Sequence, residues 1–88
     1  VAAQDAGLKA GRLAKACKQL QSQLGDFQDA VTSRDRIERL ADEARGRGED
    51  TFAYGMLYQR ELDRGEQALS GYDKAVREVR KAFKKIKP

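Results

Sequence analysis

Histidine and tryptophan are missing from this 88-residue chain, and cysteine and proline occur once each. Without histidine, the commonest general base and the commonest metal ligand are both unavailable. No EF-hand or similar carboxylate loop takes their place as a cation site, and no nucleophile–base pair can be assembled, so the sequence reads as a non-enzyme without a cofactor. The one proline is the last residue, Pro88, so nothing in the interior forces a helix to stop. Aromatic residues make up 7% of the chain and β-branched residues are sparse, which disfavours sheet. Cys17 stands alone and cannot form an internal disulfide, and a reducing, cytoplasmic setting is the simplest expectation. It is expected in the core of its helix's apolar face. There is no apolar run of transmembrane length and no signal-peptide pattern, so no membrane partner is expected. The chain does not begin with Met, which reads as a piece of a longer protein.

What remains is 40% hydrophobic and 36% charged residues, a balance that suits amphipathic helices in one small all-α domain. Leu13, Cys17, Leu20 and Leu24 recur at helical spacing and predict a first helix over 8–24. Gly25-Asp26 reads as its stop, with Asp26 capping a second helix over 26–45. Phe27, Ala30, Ile37, Ala41 and Ala44 line one face of that helix. Gly46-Arg47-Gly48 is the clearest turn signal, and Asp50 or Thr51 can cap the third helix. Thr51, Gly55, Tyr58, Leu62, Gly65, Leu69, Tyr72, Val76, Val79, Phe83 and Ile86 then alternate spacings of four and three without a slip. That phase runs through Ser70-Gly71 and argues for one long helix. Gly55 and Gly65, lying in the stripe, would let a neighbouring helix approach closely. The expected architecture is therefore an antiparallel bundle of two shorter helices and one long C-terminal helix. Two short partners leave part of the long stripe uncovered, which calls for a further helix or a second copy of the chain.

Net charge is +4, and its placement matters more than its size. Residues 8–18 carry Lys9, Arg12, Lys15 and Lys18 and no acid. Residues 74–88 carry Lys74, Arg77, Arg80, Lys81, Lys84, Lys85 and Lys87 against Glu78 alone. Between them, seven arginines face twelve acids. Like charges at helical spacing repel, so such a ridge costs stability unless an anion neutralises it. Basic surfaces of this kind attract polyanions: nucleic acid, acidic membrane or polyphosphate. No aromatic stands among the cations to stack a base, which favours a base-free polyanion. Arg34 falls in the middle of an apolar helix face, where it snorkels, pairs with an acid, or lines an internal basic channel.

The stretch KACKQLQSQLGDFQDAVTSRDRIERLA, from Lys15 to Ala41, resembles the CHAD domain, an α-helical domain named for its histidines. The resemblance rests on Leu20-Gln21, Leu24-Gly25, Gln28-Asp29-Ala30-Val31, Arg34 and Leu40-Ala41, then on Gly48-Glu49, Thr51-Phe52-Ala53, Tyr54-Gly55, Leu57 and Glu61. It implies two four-helix bundles around a basic pore that binds inorganic polyphosphate, often beside a CYTH triphosphatase domain in the same chain. Residues 1–88 would then be a single partial domain, the last three helices of the C-terminal bundle. The family's histidines have no counterpart here. The anion-facing positions that the resemblance implies are Lys9, Arg12, Lys15, Lys18, Arg77, Arg80, Lys81 and Lys84, with Arg34 beside them; Asp26 and Asp29 match the motif's acids and read as structural, the first a cap and the second paired with a basic neighbour. The alternative readings are a helical oligomerisation module, in which a homodimer completes the bundle, and a nucleic-acid-binding helical fragment.

Overall fold

A computed structural model describes residues 2–86 and shows two antiparallel helices, α1 (Ala2–Gly46) and α2 (Phe52–Ile86). Lys87, which the sequence placed beside the basic ridge, lies outside the described residues. The chain is all-α, but its first two expected helices are one. A glycine C-cap requires a left-handed residue, and among the described residues only Gly48 has a positive φ (75°). Gly25 and Asp26 instead continue the α1 ladder, and Asp26 is exposed in mid-helix rather than capping anything.

The reason lies in the phase of the residues that face α2. Leu13, Ala16, Leu20, Gln23, Phe27, Ala30, Arg34, Ile37, Ala41 and Ala44 are all half-buried or buried, at alternating spacings of three and four. The stripe crosses Gly25 in register. A glycine in a helix costs about 1 kcal/mol, less than the pairing of a whole helix face recovers. Gly25→Ala, with nothing within 4 Å of the added methyl, should therefore stabilise the hairpin by up to about 1 kcal/mol in a chemical denaturation midpoint. A destabilised variant would restore the turn.

The expected turn at residues 46–48 is present. Gly48 supplies the left-handed residue, and the Arg47 and Glu49 amides donate to the carbonyls of Glu43 and Ala44 at 3.2 and 2.9 Å. Asp50 Oδ1 accepts from the Phe52 amide at 3.0 Å and starts α2. α2 runs unbroken through Ser70-Gly71, as its phase required.

Which α2 residues face α1 differs from the expectation. The seam is Tyr54, Tyr58, Glu61, Gly65, Ala68, Tyr72, Ala75, Val79 and Ala82. It keeps half of the predicted stripe and shifts the other half back by one residue. The buried hydrophobics are Ala30, Ala44, Ala68 and Ala75, all small. A methyl group on Gly65 would lie 3.5 Å from Ala30 Cβ, so the helices approach closely there; Gly55 is exposed and has no such role. Where α2 carries alanine on the seam, the larger apolar neighbour is displaced to the flank. Cys17, Leu24 and Val31 each follow a seam residue of α1, and Leu62, Leu69, Val76 and Phe83 each follow one of α2. Antiparallel pairing puts both sets on the same side of the hairpin. Cys17 is accordingly half-buried at a flank and not in the core. No helix of the described residues is long and apolar enough to cross a membrane.

Candidate polyanion-binding surface

Antiparallel pairing decides where the cations gather. Gly65 packs on Ala30 and Phe27, and Gly71 meets the Gln23 side chain. The same register carries residues 9–18 of α1 alongside residues 77–86 of α2. Two basic segments that are some sixty residues apart in sequence thus share the end of the hairpin away from the turn. Among described residues they carry net charges of +4 (8–18) and +5 (74–86).

The surface has a preferred side. Arg12 and Lys15 of α1 and Lys85 of α2 line one shallow groove, with Ala16, Gln19, Glu78 and Ala82 completing it. This is the side opposite the apolar flank, because Arg12 and Lys15 of α1 and Glu78 of α2 each precede a seam residue instead of following one. Lys18, Arg77 and Lys84 are exposed on the outward surfaces of their helices, and Arg80 is exposed toward the apolar side. Two of the predicted cations are already engaged: Lys9 pairs with Asp5 at 3.3 Å, and Lys81 with Glu78 at 3.9 Å. Arg12, Lys15, Lys18, Arg77, Arg80 and Lys84 make no ion pair among the described residues.

Arg34 does not belong to this group. It lies sixteen residues beyond Lys18, roughly 24 Å along α1 at 1.5 Å per residue. It is half-buried on the seam, in the layer of Glu61, but makes no ion pair among the described residues. Glu61 turns instead to Arg64 of its own helix, at 3.1 Å. That contact lacks hydrogen-bond alignment, and the buried Oε2 is left without a hydrogen-bond donor. Asp29 likewise makes no ion pair among the described residues. At the opposite end of the hairpin Arg47 is held by Glu49, whose hydrogen bond at 2.9 Å raises its pKa further; this end plays no part in the basic surface.

Lys85 is the groove residue that the predicted anion-facing set omits. Its signal is its spacing of seven residues from Glu78, which precedes the seam residue Val79, and that is visible only once the seam is known.

No family model matches the chain. It is 40% identical over 78 residues to uncharacterized proteins of two Mycobacterium tuberculosis strains, CDC 1551 / Oshkosh and ATCC 25618 / H37Rv. The match covers 89% of this chain but only 15% of each relative, so the chain spans a small part of their length. No solved structure matches. Among the described residues no cluster of carboxylates and thiols is arranged to hold a metal ion.

Proposed function

We propose that this chain is a non-enzymatic, CHAD-type helical segment that binds inorganic polyphosphate at the basic end of the hairpin. The observation that carries the reading is the convergence of the two lysine-bearing segments on one end, where six cations have no carboxylate partner among the described residues. Unpaired like charge at this density costs stability in the free protein and is relieved by a bound polyanion. The resemblance of Leu20 to Ala41 to CHAD domains names the anion, and the groove of Arg12, Lys15 and Lys85 has no aromatic in its lining, which favours an anion without bases. Several Lys and Arg side chains contact successive phosphates and release their counterions; Arg supplies paired donors and Lys point charges. In the longer polypeptide this segment would contribute one wall of a basic channel, and any triphosphatase chemistry would belong to a neighbouring CYTH domain.

Binding by counterion release has a steep signature. With about six contacts, affinity for long-chain polyphosphate should fall on the order of 1,000-fold between 50 and 200 mM salt, by the arithmetic that governs other phosphate polymers. Isothermal titration across that range measures it. Salt-independent binding, or a preference for duplex DNA over polyphosphate at matched salt, would sink the proposal.

A further inference from the structure

Asp26 and Asp29 are left without the roles their sequence suggests. Asp26 is exposed in mid-helix and caps nothing, and Asp29 is exposed as well. Neither makes an ion pair among the described residues. Each precedes a seam residue of α1, Phe27 and Ala30 respectively. Both therefore stand on the same side of the hairpin as the groove of Arg12, Lys15 and Lys85.

That side changes character from the open end toward the turn. Lys85 and Arg12 come first, then Lys81 and Lys15, then Lys74. Glu78, the one acid among them, is engaged by Lys81 at 3.9 Å. Gln19, Ser22 and Gly71 follow and carry no charge. Asp26 comes next, in a shallow depression that it lines with Gln23, Gln67, Ala68 and Arg64. Arg64, the cation of that lining, is held by Glu61 at 3.1 Å and does not offset the aspartate. Arg36 and Arg60 lie on the same side, but farther toward the turn than both aspartates.

We infer that Asp26 and Asp29 end the polyanion's path and so set how long a stretch of phosphate chain one hairpin engages. The inference rests on the polyphosphate reading and adds a length to it. A phosphate chain advancing from the open end meets cations, then neutral side chains, then two unpaired carboxylates. Like charges placed face to face are strongly disfavoured, so the chain leaves the surface there and does not reach Arg36 and Arg60. From Arg12 to Asp26 is fourteen residues, roughly 21 Å of helix. At no more than the 3.4 Å per phosphate of a nucleic-acid strand, that holds at least about six phosphates. The site thus selects an oligophosphate stretch of fixed length, and a longer polymer gains no further contact on the same hairpin.

The test is calorimetric titration of the 88-residue chain with tripolyphosphate, with a chain of about eight phosphates and with one of about fifty, each across a salt series. The slope of log affinity against log salt counts the phosphates engaged. It should steepen from the first ligand to the second and then stay constant. Asp26→Asn/Asp29→Asn should bind the longest chain about tenfold more tightly and with a steeper slope, with tripolyphosphate affinity unchanged within about twofold. Adding Arg36→Ala/Arg60→Ala to that variant should cancel the gain, because those are the cations the open path reaches. Asp35→Asn/Glu66→Gln removes the same charge from exposed positions that follow seam residues, on the opposite side, and should change nothing. The boundary is overturned if the slope of the unaltered chain keeps rising with ligand length, or if Asp26→Asn/Asp29→Asn leaves affinity for the longest chain and its slope unchanged. It is equally overturned if the Asp35/Glu66 variant gains as much, or if the gain survives loss of Arg36 and Arg60. Failure of every phosphate chain to bind, whatever its length, rejects the polyphosphate reading itself and the boundary with it.

Discussion

The triple variant Arg77→Ala/Lys81→Ala/Lys84→Ala should bind long-chain polyphosphate roughly 100-fold more weakly than the parent, at about 1 kcal/mol for each cation removed from an anionic surface. The three residues fall on α2 at spacings of four and three, and all are exposed. The salt dependence should become shallower as well, because fewer counterions are released. Two features keep the result interpretable. Lys81 is already paired with Glu78 at 3.9 Å, so its single substitution should cost less than that of Lys84. A control triple in the acid-rich half, Arg36→Ala/Arg39→Ala/Arg60→Ala, removes the same charge from exposed positions far from the basic end. If both triples weaken binding equally, net charge alone drives association and the surface has no site. Circular dichroism should be unchanged in each, since exposed substitutions of this kind cost little stability.

Gly65→Leu should be the most damaging single change to the hairpin. Gly65 is buried, and an added methyl already reaches Ala30 Cβ at 3.5 Å and the Phe27 ring at 3.9 Å. Alanine therefore fits, and Gly65→Ala should gain up to about 1 kcal/mol from helix propensity. Leucine does not fit between two backbones held that close. It should cost about 1–3 kcal/mol by overpacking, a large share of what a hairpin with an alanine core can muster. Thermal unfolding followed at 222 nm separates the two variants. Equal melting temperatures would mean that the helices are not in contact at this layer.

The same glycines and alanines explain what is and is not legible in the sequence. The turn at residues 46–48 is legible because it is made by local chemistry: a residue that must take positive φ, and an aspartate that accepts the first amide of α2. The unbroken α2 is legible because large apolar residues keep phase across Ser70-Gly71. Gly25-Asp26 carries the same local signal as a real turn, yet makes none. What overrides it is the α1 seam, and that seam is inconspicuous because Gln23, Arg34 and four alanines hold its places. The α2 stripe is displaced for a related reason. Leu62, Leu69, Val76 and Phe83 attract the eye, but close approach selects the smaller neighbours, Ala68, Ala75 and Ala82. The gathering of the basic segments is implicit in their positions, yet only the register of the two helices brings Lys85 to the side of Arg12 and removes Arg34 from the group.

The hairpin extends 70 Å along its long axis and about 15 Å across. Its cations are crowded toward one end, while the stretch from residue 19 to residue 73 carries five more acids than arginines. Such a rod is a permanent electric dipole whose length is several times the screening distance of about 8 Å at physiological salt. A polyanion chain in solution does not meet it broadside. It draws in the positive end first and repels the rest, so productive encounters begin at the helix termini opposite the turn and the association rate, not only the affinity, falls as salt is added.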